Sequence, residues 1–526
     1  MALVRRYFKL RVTFKIFGRN YSNGDGGKRK GLVLGIYTEG SGDSQEFKLT
    51  KAGNRFNEAV NGKLEDLLRI HGGYIPKGEV QVFQNLESDF YSVAVAGLGT
   101  EDVGFNTLEN LDECRENVRI AAGTGVRALR SIGIGNISVE GFGQAEAAGE
   151  GAALAAWRFQ EYRAKDDRKV VPVLELYEDP DIEGWGRGLL KADAQNLART
   201  LCDTPANIMT PTNFAHAATD ALCACGVTVE MRDKDWIEKK KLNTFLYVAR
   251  GSTEPPVLLE LSYCGGPQEE KPIAFVSKGI TYDSGGLCLK KCKPMREYRG
   301  DLAGAAVTVG VFKAIASLGF PINLRASIPL CENMISGMAM KPGDVVFALD
   351  GQSIEIEHSD NEGRVAMADI LLYARQAHRP RLVIDVASLT RGIRSALGGS
   401  SSGVYTTNHD LWREINKAGA ITGDRVWRFP LWQHFTRKVT YIPHADVTNT
   451  GMGPGGHPCR GAAFLKEFVH CGDWMHLDIT GCGMLSHAPD YPYLSVGRMT
   501  GRPTRTLIQF LYQIACPPEV ASLKRK

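Results

Sequence analysis

The sequence predicts an α/β protein of two domains: a smaller N-terminal α/β domain and a larger C-terminal domain whose mixed sheet is flanked by helices. Three observations carry this. Short apolar runs alternate with amphipathic stretches from Gly31 onward, the layering of an α/β fold. At 526 residues the chain is too long for one ordinary core. Its densest charged clusters fall where apolar strands end, the place where such folds put their chemistry.

Taken in order, residues 1–30 stand apart. Arg5, Arg6, Lys9, Arg11, Lys15 and Arg19 all precede the first acid, Asp25. Leu3, Tyr7, Leu10, Phe14 and Phe17 share one helical face opposite most of those cations. That pattern predicts a mitochondrial transit peptide cut after Tyr21, with a glycine- and lysine-rich lead-in to follow. A mitochondrial matrix location is therefore expected, with the cytoplasm as alternative.

Residues 31–178 form the N-terminal α/β domain. Gly31–Tyr37, Tyr91–Gly97 and Ile137–Glu140 read as strands, and Phe56–Ile70, Leu108–Ser131 and Ala145–Arg163 as helices. The glycines at Gly133, Gly135, Gly141 and Gly143 do not complete a dinucleotide fingerprint. Residues 179–203 form a connecting helix, centred on Gly184–Leu201 and ended by Asp203-Thr204-Pro205. The second domain spans 204–516, with 517–526 as a tail. Its strands are Phe245–Val248, Val257–Leu261, Ile273–Val276, Leu324–Leu330, Leu382–Ser388 and Trp474–Ile479, and Leu302–Leu318 is a helix.

Composition excludes several classes. A hydrophobic content of 43% and charged content of 23% are those of a globular protein. No uninterrupted apolar run approaches the roughly 20 residues that span a bilayer. The net charge of +4 comes partly from the N-terminus, and no basic stripe marks a nucleic-acid surface. Twelve cysteines without CxxC pairs suggest neither zinc ribbon nor disulfide framework, and fit a reducing compartment. Cys288 and Cys292, near the charged cluster, are expected as buried free thiols.

Two clusters carry the chemistry. His358-Ser359-Asp360-Asn361-Glu362-Gly363-Arg364 sets two acids and an arginine at i, i+2, i+4, which in an extended backbone would point one way. It lies between the alternating strand Ile354–Glu357, entered through an Asp350-Gly351 turn, and a buried helix from Val365 to Leu372. The second cluster is Lys278, Asp283, Lys290 and Asp301, following the apolar run Ile273–Val276. Asp301 opens the next helix, where the dipole stabilises an anion. Four carboxylates and two lysines at two strand ends mis-pair unless divalent ions stand between them; a pair about 3.5–4 Å apart would suit them. No HExxH motif is present, and Asp283-Ser284-Gly285-Gly286, a serine among glycines, lacks the GxSxG elbow. His358 is expected to pack beside the ligands, His476 to be a satisfied core histidine, and Gly451–Gly456 to be a flexible loop before a helix over Gly461–Phe468.

Val276-Ser277-Lys278-Gly279, Asp283-Ser284-Gly285-Gly286, Lys290, Asp301 and Asp360-x-Glu362-Gly363-Arg364 resemble the leucyl aminopeptidases of the cytosol aminopeptidase family. The likeness runs from Ala194 to Pro503. It implies a two-metal exopeptidase acting on peptides, with zinc or manganese as the two divalent ions. Asp283 and Glu362 would bridge them, Asp360 would bind one, and Lys278 and Asp301 the other. Lys290 would stabilise the oxyanion, and Arg364 would hold a bicarbonate that shuttles the proton. A homohexamer, with no nucleic-acid or membrane partner, is also implied.

The chain departs from the family pattern around the first side-chain pocket, placed by resemblance at Ser388, Leu389, Arg391 and Thr480. Arg391 stands where the family has glycine, Thr480 where it has alanine, and Gly483 where it has methionine. A cation and a hydroxyl would make a leucine-shaped pocket smaller and more polar. An alternative of another class follows: a catalytically weakened paralogue acting as an abundant structural protein of mitochondria, as in the sperm-type branch of insects that the chain also resembles.

Overall fold

A computed structural model describes residues 30–40, 46–485 and 491–516. The transit-peptide, cleavage-site and tail expectations lie outside the described residues, except that Lys30 already begins the first strand, Lys30–Glu39.

That strand is central to a six-stranded sheet ordered Val80–Gln84, Ser92–Thr100, Lys30–Glu39, Asn136–Glu140, Val173–Tyr177, with Glu46–Leu49 pairing against its end. Alternation along it feeds two cores. Leu32, Leu34 and Ile36 pack on helices Lys51–Ala59 and Lys63–Ile70, while Val33 packs on helices Glu113–Ser131 and Ala145–Ala156.

Three of the expected helices differ in extent. The stretch over Phe56–Ile70 is two helices, because Asn61 and Gly62 take φ of 56° and 81° and reverse the chain. The next begins at Glu113, since Asp112 accepts a hydrogen bond from Arg115 N at 3.1 Å and caps it after a short hairpin. The third ends at Ala156, where Arg130 Nη1 donates to the carbonyls of Ala155, Ala156 and Trp157 and satisfies the helix terminus.

Glu140 gives this layer a pH signature. Its buried Oε2 accepts from Thr50 Oγ1 at 2.8 Å and Gly35 N at 3.0 Å, yet burial pushes the carboxyl up to about 7. The folded state therefore holds a proton that the unfolded chain releases near pH 4.5. Stability is fully present below that value and falls as pH rises towards 7, by about 3 kcal/mol. Glu140→Gln, which keeps an acceptor oxygen, is expected to flatten the dependence of Tm on pH between 5 and 8. Parallel profiles for variant and wild type would refute the assignment.

Helix Ile182–Asp203 leads to the second layer, a nine-stranded mixed sheet. Strands Asp473–Asp478, Leu382–Ala387, Ile273–Ser277 and Asn323–Asn333 run parallel at its centre, flanked by antiparallel neighbours. The run Phe245–Val248 is not a strand but part of helix Asn243–Ala249. A four-residue apolar run does not distinguish the two. Here Phe245, Val248 and Ala249 form a buried i, i+3, i+4 face, and Asp369 holds the helix start through Thr244 N at 2.8 Å.

Cys292–Leu318 is long and apolar enough to cross a bilayer, contrary to the expectation from uninterrupted runs, but 78% of its most apolar window is buried inside the protein. Its main helix, Ala303–Leu318, is a core element between the sheet and Ile182–Asp203. All twelve cysteines are free. Cys292 is exposed and Cys288 half-buried, so neither is the buried thiol expected; Cys288 lies on the loop that leaves the sheet after Asp283, and Cys292 opens the short helix Cys292–Met295 that follows it.

Candidate metal centre

The carboxyl ends of the central parallel strands converge on one cavity. Lys278 follows strand Ile273–Ser277, Ser388 follows Leu382–Ala387, and Asp283 ends the short strand Gly279–Asp283. Asp301 sits in a tight 3₁₀ segment, Arg296–Leu302, one turn before the core helix rather than at its first residue. Asp360 lies in the 3₁₀ turn Ser359–Asn361, and Glu362 begins helix Glu362–His378.

The extended-backbone reading of Asp360, Glu362 and Arg364 is thereby corrected: the segment is already turning, and the three side chains reach different partners. Asp360 meets Lys290 and Arg391, Glu362 meets Lys278, and Arg364 Nη1 donates to Asn449 O.

Asp283, Asp301 and Glu362 each offer an oxygen within 4.8 Å of the others, and all three are buried. Lys278 Nζ lies 2.6 Å from Asp301 Oδ2 and 2.7 Å from Glu362 Oε1, and donates to Ser388 O at 3.1 Å. Lys290 Nζ stands 2.5 Å from Asp283 Oδ2, contacts Asp360 Oδ1, and lies 4.0 Å from the centre of the Tyr298 ring.

Electrostatics follow from burial. Desolvation, then mutual repulsion with Glu362, raises the Asp283 carboxyl; desolvation also raises Asp301 and Glu362, against the pull of Lys278. Burial alone would lower Lys278 and Lys290, but the surrounding carboxylates hold both above the usual lysine value. Both Glu362 oxygens and Asp301 Oδ2 lack a hydrogen bond of regular geometry. Buried, unsatisfied carboxylate oxygens of this kind are costly unless a cation completes them. An oxygen-rich donor set suits hard or borderline divalent ions, so the residues fit the metals that the sequence implied.

Several supporting groups escaped the sequence reading. Asn333, at the end of its strand, donates to Asp283 Oδ1 at 2.8 Å and Ser359 O at 3.1 Å, fixing the two clusters to each other. Ser359 Oγ donates to Gly285 O and accepts from Cys288 N, both at 2.8 Å. No local pattern marks Asn333, fifty residues from Asp283. Gly363 is needed for space: a Cβ there would stand 2.4 Å from Lys278 Cε.

Arg364 is buried, and burial followed by the nearby Arg460 lowers its guanidinium to about 10; its Nε is unpartnered. Of the pocket residues, Ser388 bonds Asp301 Oδ1 at 2.7 Å, and Leu389 is buried with its N–H on Asp478. The Thr480 hydroxyl donates to Asp478 Oδ1 at 2.6 Å and accepts from Thr390 N, so it faces the interior and does not polarise a pocket as expected. Arg391, with 59% of its side chain exposed, is the one residue of the four that is open to solvent.

His358 is exposed, and its Nδ1 accepts from Asp360 N at 3.2 Å. His476 is buried with Nδ1 on Asp385, while Nε2 has no partner, so it is only half satisfied. The Gly451–Gly456 loop precedes helix His457–Glu467 and is pinned by Arg460 Nη1, which donates to the carbonyls of Gly451, Met452 and Gly453.

A carboxylate cage with two lysines at the carboxyl ends of a mixed α/β sheet defines a candidate metallohydrolase. Comparison with known proteins names the group. The sequence model described as "Cytosol aminopeptidase family, catalytic domain" matches residues 196–508, and that of the same family's N-terminal domain matches 33–166. The chain is 44% identical to a cytosol aminopeptidase of Bos taurus over 92% of its length and 93% of the relative's. It is 42% identical to that of Homo sapiens over 96% of each. Among solved structures, the bottromycin maturation enzyme BotP superposes with a TM-score of 0.78 at 29% identity, covering 93% of this chain and 99% of that one; a manganese complex of BotP superposes equally well. The chain belongs to the cytosol aminopeptidase family and is a metal-dependent aminopeptidase. Nothing in these relatives supports the alternative of a purely structural protein.

Proposed function

We propose that the chain releases N-terminal residues from peptides using two divalent ions held by Lys278, Asp283, Asp301, Asp360 and Glu362. The observation that carries this reading is the convergence of three buried acids within 4.8 Å, with Glu362 lacking a regular hydrogen bond at either oxygen. Such ions, zinc or manganese, would supply positive charge that favours hydroxide over water near neutral pH. Lys278 would have to give up its proton to serve as a ligand, a change that two added cations favour. Lys290, the cation on the opposite side of Asp283, is suited to stabilise negative charge developing on the scissile carbonyl oxygen. Arg364, with its unpartnered Nε, is suited to hold a small anion such as bicarbonate that moves the proton.

Assembly as a homohexamer, and a mitochondrial matrix location set by the basic N-terminus, belong to the same proposal. Metal analysis together with a panel of aminoacyl amides tests it. Two bound ions per chain with turnover are expected; metal bound without turnover on any amide would overturn the enzymatic reading. Lys290→Met is expected to lower kcat about 10²–10³-fold while metal content stays within error. Unchanged kcat in that variant would remove Lys290 from the role.

A further inference from the structure

Arg391 begins helix Arg391–Leu397, and its guanidinium Nη2 lies 3.3 Å from Asp360 Oδ2. It sits 5.4 Å from the centre of the Tyr298 ring, and Lys290 Nζ lies 4.0 Å from the centre of that same ring. Most of the Arg391 side chain, 59%, is exposed to solvent. A solvent-accessible cation is thus mounted directly beside an acid that the proposed function gives to a metal.

We propose that Arg391 makes this aminopeptidase selective for substrates with a carboxylate close to the cleaved bond. The inference rests on the two-ion reading above. Two divalent ions balance the four carboxylates of the cage, so Lys290 and Arg391 remain as uncompensated positive charges. Asp360, once it binds an ion, is no longer free to neutralise Arg391. An incoming carboxylate takes that place, and arginine's planar fork receives it in bidentate fashion. Tyr298 holds the guanidinium in position, so little side-chain freedom is lost on binding.

Reach limits where the carboxylate lies. A group 3.3 Å from Asp360 is within one side chain of the reacting carbonyl. Two sources satisfy this: the side chain of an N-terminal aspartate or glutamate, and the C-terminus of a dipeptide. A lysine or arginine at the N-terminus meets repulsion instead, and leucine offers the guanidinium no partner.

The test compares manganese-loaded wild type, Arg391→Met and Arg391→Glu. One arm uses glutamyl, leucyl and lysyl p-nitroanilides, which have no C-terminal carboxylate. The other uses Leu-Gly against Leu-Gly amide. The expected result is a preference of about tenfold or more in kcat/KM for the carboxylate-bearing member of one arm. The glutamyl arm would assign the side chain and the dipeptide arm the C-terminus. Arg391→Met should abolish that preference, and Arg391→Glu should shift the p-nitroanilide ratio towards lysine.

No preference in either arm, or one that survives Arg391→Met, overturns the inference and leaves the peptidase reading standing. If the loaded protein cleaves nothing, the peptidase reading falls by itself. Calorimetric binding of L-glutamate against L-leucine, and of Leu-Gly against its amide, then still reads Arg391. Tighter binding of a carboxylate-bearing ligand to wild type but not to Arg391→Met supports the inference; equal affinities overturn it.

Discussion

Glu362→Gln is expected to abolish peptidase activity, with a loss of about 10²–10³-fold or more in the hydrolysis of leucine p-nitroanilide. The substitution keeps size and shape in a fully buried position but removes one of the two negative charges that flank Lys278. An amide oxygen is a much poorer ligand for a divalent ion than a carboxylate, and the family reading makes this residue the bridge between two ions. Apart from the Lys278 ammonium 2.7 Å from Oε1, nothing engages its oxygens, and Oε2 has no partner that would compete with a metal. Metal content should fall in parallel with rate, and circular dichroism should show the fold intact. A folded variant that turns over leucine p-nitroanilide near the wild-type rate would refute the assignment.

Glu150→Ala should give the largest loss of stability. Glu150 Oε2 receives Arg119 Nε at 2.6 Å and Arg505 Nη1 at 2.7 Å, and all three side chains are buried. Arg119 also donates to Ile421 O at 2.7 Å, and Tyr493 donates to Glu116, so this network joins the N-terminal sheet's helices to the C-terminal helix Thr504–Ala515. Arg119 keeps Glu116 as a partner, but Arg505 is left with only neutral acceptors. An uncompensated buried guanidinium costs about 3–5 kcal/mol, read as a drop in Tm.

The same pair carries a pH dependence. Burial would raise the Glu150 carboxyl, but Arg119 and Arg505 hold it down at about 2. Its stabilisation is therefore present above the ordinary glutamate range and lost as pH falls towards 2. For comparison, Arg55–Glu178, whose side chains are 55% and 45% exposed, should matter by less than about 1 kcal/mol when broken. A Glu150→Ala change no larger than that would mean the network is dispensable.

The site was legible in part. Lys278, Asp283, Lys290, Asp301, Asp360 and Glu362 stood out as charges at the ends of apolar runs, and the chain folds them around one cavity. Their orientation was not legible. The i, i+2, i+4 argument assumed an extended backbone, whereas Asn449 holds His358 and the chain turns at Ser359–Asn361 into the helix that starts at Glu362. Thr480 looked like a pocket residue, yet Asp478, two positions earlier on the strand end, captures its hydroxyl. Phe245–Val248 illustrates the same limit at the level of an element, since four apolar residues carry no period.

What the residues determined by themselves was local: which stretches alternate as strands, which carry a helical face, and which acids and lysines stand at their ends. Side-chain periodicity and turn chemistry depend on neighbours in the chain, so they can be read from it. Only the tertiary structure decided which of those ends meet. Strands Ile273–Ser277 and Leu382–Ala387 lie side by side although about a hundred residues separate them, and that pairing puts Ser388 beside both Lys278 and Asp301. Asn333 and Arg391 likewise gained their partners from strand order and from the packing of one loop on another, because long-range contacts are selected by burial and register across the whole sheet.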